Sequence, residues 1–312
     1  MVVPVFNVAP YLARCVDSIL QQDHASLQVI LVDDGSTDGS GEMCDGFEDP
    51  RIEVIHQVNA GLSEARNTGM GRVAGEYVTF VDSDDWLAPD FVSRLLHLLV
   101  EHDADTAVAG LLRTSDEAAT IAVVSGEVRV LDRDQAMMAL NGALHTVLTV
   151  AWAKLYRTST LKGVTFPPGR LHEDEFTTYR ALAASRRVVV SDRQLYFYWQ
   201  RPDSITGMTP KQRNWSDVIA AYRERQEFLE SGFSDDVAVL GRVELFRKLM
   251  HFRQWLGEDQ TEERARTLAE MRRLEQSLKG ARCSVRLFCA AYVRFPRLID
   301  RLQAQRLRLR RS

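Results

Sequence analysis

Cysteine is scarce in this chain: Cys15, Cys44, Cys283 and Cys289 form no C-x-x-C pair, which argues against a zinc site of ordinary ligand spacing and against a dithiol redox motif. That usage fits a reducing cytoplasm. No apolar run reaches the roughly 18 to 20 residues that cross a bilayer as a helix, and no basic segment followed by a signal-like apolar stretch opens the chain. A chain neither inserted nor secreted by these routes is therefore expected. With 18 Gly and 9 Pro in 312 residues, collagen-like and Pro-rich low-complexity classes are also excluded. What remains is an ordinary globular composition, 45% apolar and 26% charged, long enough for one large domain or two modest ones. The net charge of −4 hides an asymmetry: residues 281–312 hold nine Arg against the single acid Asp300, so the preceding residues carry −12. A basic end on an acidic body points to an anionic surface met by the tail and not to a nucleic-acid-binding core.

The first 110 residues alternate short β-rich runs, at 2–5, 27–32, 52–55, 77–81 and 106–109, with amphipathic segments, which is an α/β rhythm. Pro10 opens one helical segment through Leu12, Val16, Ile19 and Leu20, and Pro89 opens another through Phe91, Leu95, Leu96, Leu98 and Leu99. Residues 111–209 are less regular, with strand-like runs around Ala122 and Val128 and a helix over 133–140. Beyond Pro210 three amphipathic helices fit, over 210–231, 235–256 and 260–279, each with a Gly near its end. The organisation expected is an α/β half (1–110), a less regular half (111–209), a helical region (210–280) and a basic amphipathic tail (281–312).

In open α/β sheets ligands gather beyond the carboxyl ends of strands. Here those positions hold Asp33-Asp34-Gly35-Ser36-Thr37-Asp38-Gly39-Ser40 and Asp82-Ser83-Asp84-Asp85-Trp86. Carboxylates gathered at one sheet edge repel each other, and a hard divalent cation with oxygen ligands is the natural compensation. The plain alternative is that Asp, Gly and Ser are turn and N-cap residues after strands.

Several segments carry a resemblance: Pro4-Val5-Phe6-Asn7; Val32-Asp33-Asp34-Gly35-Ser36-Thr37-Asp38; Asn59-Ala60-Gly61-Leu62-Ser63-Glu64-Ala65-Arg66-Asn67-Thr68-Gly69; and Phe80-Val81-Asp82-Ser83-Asp84-Asp85-Trp86. The sequence resembles the family 2 glycosyltransferases of the GT-A fold, with these motifs in the family's order. The likeness continues through Trp152-Ala153-Lys154-Leu155-Tyr156-Arg157, His172-Glu173-Asp174-Glu175-Phe176 and Tyr198-Trp199-Gln200-Arg201-Pro202-Asp203-Ser204-Ile205-Thr206, covering roughly residues 1–207. The fold it implies is a GT-A type mixed sheet flanked by helices, followed here by a helical C-terminal region.

The resemblance implies a nucleotide-sugar pocket built from Pro4, Val5, Phe6, Asn7, Asp34, Gly35, Ser36, Gly61, Arg66, Asn67, Asp82, Ser83 and Arg201. A carboxylate such as Asp34 can accept the imide N–H of uracil, and Arg66, on the first turns of a helix after a Gly-bearing turn, can approach phosphate. Asp82-Ser83-Asp84 is similar to the family's D-x-D motif; alternation along an extended segment would point both acids to one side. Asp84, with Asp82, is the expected ligand of Mg or Mn, which suit all-oxygen coordination. Asp85 reads as an N-cap before 86–90. The resemblance places the general base at Asp174, with Glu173 as the fallback, and implies an inverting single displacement without a covalent intermediate. Trp152 is an acceptor-side candidate. Plain readings stand beside these: core packing for Phe6 and Trp152, a solvated Arg66, and dipole-favoured acids in a first helical turn for Glu173 and Asp174.

Two departures from the family's pattern are visible. Phe6 keeps a ring but lacks the hydroxyl of the more usual Tyr, and Tyr198-Trp199-Gln200-Arg201 lacks one cation of Tyr-Arg-x-Arg, leaving Arg201 to supply that charge. The chain also begins almost inside its first motif, which suggests an assigned start downstream of the native one. In the tail, Phe288, Ala291, Tyr292, Phe295, Leu298, Ile299 and Leu302 recur at helical steps among Arg residues, with a kink expected at Pro296. Such a helix can lie on an anionic bilayer, at the inner face of the cell membrane, or pack on the catalytic body. The leading expectation is a cytoplasmic, peripheral transferase moving a sugar from a nucleotide sugar, with UDP as the expected nucleotide, to a surface polysaccharide, cell-envelope glycan or lipid-linked glycan. A catalytically silent GT-A module that binds nucleotide or glycan in an assembly is the alternative. A sugar nucleotidyltransferase would want a Gly-rich basic loop where Asn7-Val8-Ala9-Pro10 stands.

Overall fold

The β-branched runs of the first half form strands and the amphipathic stretches between them form helices that cover those strands. The computed structural model describes residues 1–116, 119, 126–200, 211–257 and 259–309. Its first unit, residues 1–210, runs β1 (Val2–Val5), α1 (Ala9–Leu20), β2 (Val29–Asp33), α2 (Ser40–Asp45), β3 (Ile52–His56), α3 (Leu62–Met70), β4 (Tyr77–Val78), β5 (Trp86–Leu87), α4 (Phe91–Glu101) and β6 (Thr106–Thr114). It continues through β7 (Val128–Asp132), α5 (Arg133–Leu140), α6 (His145–Thr149), β8 (Lys154–Arg157), a single 3-10 turn (Thr158–Leu161), α7 (Glu173–Ala184) and β9 (Arg187–Trp199). The helix α5 starts on a full capping box, with Asp132 and Gln135 each answering the other's backbone N–H.

β1, β2 and β3 pair in parallel, in the register Val2↔Ile30 and Val29↔Ile52. A second sheet is ordered β4-β8-β6-β9-β5, with β7 on β9; β6 and β9 run parallel and the other pairs antiparallel. The two sheets are joined where Val2 bridges Phe80 and exchanges main-chain bonds with Thr79 (2.9 Å) and Val81 (3.0 Å). This seam explains why the run at 77–81 yields only a two-residue strand: its second half pairs with β1 instead of β8. Since β1, β2 and the 79–81 segment run the same way, their carboxyl ends open on one edge. At Gly110 the β6–β9 register slips, and a Cβ there would meet the Asp192 carbonyl oxygen at 2.4 Å, so the bulge requires glycine.

Two sequence expectations are corrected. Asp85 precedes β5 rather than a helix, and it lies fully buried, so it caps nothing. The helix after Pro89 begins at Phe91 with Asp90 at its N-cap, leaving Pro89 outside. The expected strand around Ala122, the end of the last family segment with Arg201, and Arg310 and Arg311 lie outside the described residues.

The second unit, residues 211–312, contains α8 (Lys211–Gly232), α9 (Asp235–Trp255), α10 (Thr261–Gln276), α11 (Cys283–Arg294) and α12 (Pro296–Leu309). Its own core gathers Phe246, Leu249, Met271, Cys289 and Tyr292. Pro296 starts a new helix rather than kinking one, as suits a residue with no N–H to donate. The tail's first part packs on this helical core, and its lone acid, Asp300, is held by Arg253 (2.7 Å), Gln254 (3.0 Å) and the Tyr292 hydroxyl (2.8 Å).

The contact between α3 and the sheet depends on Gly69, where a Cβ would sit 2.4 Å from Val2 Cγ1 and 3.3 Å from Val32 Cγ2, both fully buried. Gly69→Ala is expected to lower unfolding free energy by about 1–3 kcal/mol through overpacking. Urea denaturation followed by circular dichroism checks this, and an unchanged midpoint would show that the helix gives way freely.

Candidate active site

The shared strand edge carries the turn after β1, the loop after β2 and the acidic turn after Val81. Pro4 and Val5 are buried, so only their backbone can face a ligand, whereas Phe6 is 43% exposed and is not a core residue. Asn7 adopts φ 51° and locks the first two loops together: its N–H donates to Ser36 Oγ (3.2 Å) and its side-chain carbonyl accepts from Thr37 N (2.8 Å). Asp34 is buried and fully engaged. Its carboxylate accepts from Gln57 Nε2 (2.7 Å), Ala60 N (2.8 Å) and Gly61 N (2.8 Å), and so ties the β2 loop to the entry of α3. Gly35 at φ 71° passes so close to Asn59 that a Cβ would lie 2.9 Å from its amide nitrogen.

The acidic motif is a turn, not an extended segment. Asp85 N–H donates to the Asp82 carbonyl (3.0 Å), so Ser83 and Asp84 form the corner, as short polar residues readily do. The expected alternation of Asp82 and Asp84 is replaced by this bend. Ser83 is buried, and Asp82 and Asp84 are partly exposed.

Arg66 lies under this turn. Only 1% exposed, it is not a solvated helix residue, and both arms of its fork are engaged: Nη2 donates to Asp82 Oδ1 (2.7 Å) and Nη1 pairs with Glu173 Oε1. Burial works against its charge, and Asp82 and Glu173 more than offset this and hold its pKa above the usual value. Phe80 and Phe166 flank the guanidinium. Its neighbour Asn67 is turned to structure, exchanging bonds with the main chain of Phe166 (2.8 and 2.9 Å).

Glu173 and Asp174 begin α7, where His172 at φ 57° turns the chain into the helix. Asp174 is half-buried, and burial, reinforced by Glu173, pushes its pKa well above the ordinary carboxylate range while Arg66 pulls it down. Lys154 is the cation that sequence reasoning passed over. It is fully buried on β8, donates to the carbonyls of Val147 and Val150 at the end of α6, and is lowered by burial to about 7 with the Asp174 charge opposing that shift. Its residue type stood inside a quoted motif, but burial of a lysine leaves no mark in sequence. Trp152, the acceptor-side candidate, is 6% exposed with its ring stacked on Tyr196 (4.5 Å) and Tyr198 (5.0 Å). It supports the floor of the site and offers little surface to a sugar.

Asp82, Arg66, Glu173 and Asp174 thus come together from three separate segments, with Phe6, Asn7 and Ser36 on the same edge. The donors available to a cation are all carboxylate oxygens, and no group of three His, Cys, Asp or Glu side chains converges among the described residues. Such a set suits Mg or Mn held by one or two carboxylates and completed by phosphate oxygens and water.

A β1-β2-β3 sheet joined to a mixed sheet, with the acidic turn at the joint, is the GT-A fold. Over that fold the chain is similar to the crystallised residues 1–349 of TarS from S. aureus, solved with UDP-GlcNAc, at a TM-score of 0.72 and 19% identity, covering 96% of this chain and 87% of that one. The family model for Glycosyl transferase family 2 matches residues 1–164, and this chain belongs to that family. Among curated relatives it is 38% identical over 215 residues to the glycosyltransferase GlyA of Streptococcus pneumoniae, covering 66% of this chain but only 31% of GlyA, so it spans about a third of that protein. It is 31% identical to the glycosyltransferase GlyG of the same organism, covering 82% of this chain and 88% of GlyG, and 34% identical to the uncharacterized glycosyltransferase EpsJ of Bacillus subtilis, covering 71% and 69%. The expected family and fold class both hold.

Removing Arg66 leaves two neighbouring carboxylates without their buried counter-ion. Arg66→Met is expected to cost about 3–5 kcal/mol of stability. Adding Glu173→Gln to it should recover part of that loss in guanidinium unfolding. A single variant as stable as the parent would show that water, not Arg66, neutralises these acids.

Proposed function

We propose that this chain transfers a glycosyl group from a nucleotide sugar to a hydroxyl of a glycan acceptor by an inverting single displacement. The observation that carries the reading is the meeting of Asp82, Arg66, Glu173 and Asp174 at the edge where β1, β2 and the 79–81 segment end. Phe6 and Asn7, with the Asp34-Gly35-Ser36 loop, would receive the nucleoside; the crowded Asp34 carboxylate acts mainly by fixing that loop. A UDP sugar is the proposed donor, supported by the TarS complexes with UDP-GlcNAc and UDP. Asp84 and Asp82 would hold the divalent cation, which supplies Lewis-acid stabilisation of charge on the departing nucleoside diphosphate. Arg66 keeps Asp82 and Glu173 in place beneath it.

Asp174 is the proposed base, taking the proton from the acceptor hydroxyl as that oxygen attacks the anomeric carbon opposite the leaving group. Its raised pKa suits this role, because a carboxylate held above its ordinary range is a stronger base toward the acceptor proton. Glu173, engaged by Arg66, is less free to do so. The acceptor class proposed is a surface polysaccharide, cell-envelope glycan or lipid-linked glycan, met from the cytoplasmic side.

The tail supports a peripheral membrane location. While Cys289 and Tyr292 face the helical core, Leu287 and Phe288 on α11, Phe295 at the junction, and Leu298 and Leu302 on α12 stay exposed, with Arg286, Arg294, Arg297 and Arg301 near them in sequence. Among the described residues no helix is long and apolar enough to cross a membrane. Exposed apolar side chains interspersed with Arg suit the headgroup region of an anionic bilayer.

Asp174→Asn is expected to lower nucleoside diphosphate release by about 10²–10⁴-fold while UDP affinity persists. The parent rate should fall as pH drops through the raised pKa of Asp174, since protonation removes the base. Binding without release in every donor and acceptor mixture would instead favour a silent module. For the tail, the full chain should sediment with vesicles containing phosphatidylglycerol, and Leu287→Ser with Phe295→Ser and Leu298→Ser should abolish this. Equal sedimentation of that variant would refute the membrane contact.

A further inference from the structure

The most demanding buried group in the first unit outside the proposed base is Asp85. Its carboxylate is fully buried, and such a group is tolerable only with its acceptor positions filled. One oxygen accepts from the main-chain N–H of Trp199 (2.7 Å) and the other from the Tyr196 hydroxyl (2.7 Å). The same hydroxyl accepts a hydrogen bond from the main-chain N–H of Asp82 (3.1 Å). We propose that Tyr196 is a positioning residue for the donor site: through its hydroxyl, the buried Asp85 carboxylate sets the orientation of the Asp82–Asp84 turn. The inference rests on the reading of Asp82 and Asp84 as the residues that hold the divalent cation.

Three features make the hydroxyl a fixed post. Tyr196 lies on β9 opposite Leu87 and beside Leu111, so its backbone is paired on both sides. Its ring is stacked on Trp152 at 4.5 Å with an interplanar angle of 16° and meets the edge of Phe91 at 6.4 Å. A phenol whose proton is committed to a carboxylate is also a better acceptor, because hydrogen bonds in a chain polarise one another. The direction of the relay is therefore set: the Tyr196 O–H donates to Asp85, and the oxygen lone pair is left for the Asp82 N–H.

The rest of the turn is fixed around this bond. The Asp82 carbonyl accepts from Asp85 N–H (3.0 Å) and lies 3.7 Å from the Cys15 thiol, its carboxylate meets Arg66, and the Asp84 carbonyl accepts from Arg14 Nη2 (3.2 Å). The Arg14 guanidinium itself lies over the rings of Trp86 (3.9 Å) and Trp199 (4.6 Å). Of these contacts the Tyr196 bond alone reaches the Asp82 amide, the hinge about which its side chain would swing. Loss of the hydroxyl leaves the ring in place, removes one of the two donors to Asp85 at some cost in stability, and frees that hinge, so the effect on binding should fall on its cation-dependent part.

The test is calorimetric titration of UDP into the full chain, in EDTA and in Mn2+. The parent should bind more tightly in Mn2+. In Tyr196→Phe that gain should shrink by about 10–100-fold, the usual penalty for removing a group that orients a metal ligand, with the EDTA affinity unchanged. Asp85→Asn should do the same, because its amide cannot accept the tyrosine proton and the Trp199 N–H together in the present geometry; it carries the comparison if circular dichroism shows Tyr196→Phe unfolded. A variant that keeps the full Mn2+ gain, or that loses affinity equally in EDTA and Mn2+, overturns the relay. A parent with UDP affinity in EDTA but no gain in Mn2+ sinks the cation reading of Asp82 and Asp84, and the relay with it.

Discussion

The constraint on which the site depends is a single buried guanidinium. Arg66 lies beneath a convergence of acids from separate segments, joining the turn after Val81 to the first turn of α7. Carboxylates so close would drive the strand edge apart if left uncompensated, and a lysine could not bridge two of them in one plane as the guanidinium fork does. Because the tie is buried, its strength is little affected by salt, and the position of α7 relative to the acidic turn is fixed before any ligand arrives.

Much of this edge was legible in the sequence. The strand-helix rhythm, the loops after β1 and β2 and the acidic turn are local features, and period and turn chemistry report them directly. Geometry one step beyond the local pattern was not. Asp82 and Asp84 were expected on an extended segment, because nothing in Asp-Ser-Asp-Asp distinguishes alternation from an i to i+3 bend; the bend arises because 79–81 leaves its neighbour strand to pair with β1. Asp85 looked like a cap and is instead a buried acceptor, a difference that depends on Tyr196, 111 residues away.

Some residues that the family segments offer to a ligand are also used by the protein itself. Asp34, Asn67 and Trp152 all belong to segments that point to a nucleotide-sugar pocket, yet their polar atoms or rings are largely engaged by Gly61, Phe166 and Tyr196. Sequence pattern identifies the neighbourhood of a site more reliably than it separates the groups that touch a ligand from those that hold the walls. Lys154 shows the converse: its burial under the carbonyls of α6, close enough for Asp174 to influence it, exists only in three dimensions.

Ala153 stands between Trp152 and Lys154 at φ 56°, a left-handed conformation that costs a side-chain-bearing residue on the order of 1 kcal/mol or more. The reversal aims one neighbour toward the aromatic stack and the other toward the end of α6. The Trp152 ring and the Lys154 ammonium therefore share one anchorage, three residues long, and a backbone change at Ala153 would disturb the stack on Tyr196 and the bonds to the α6 carbonyls together.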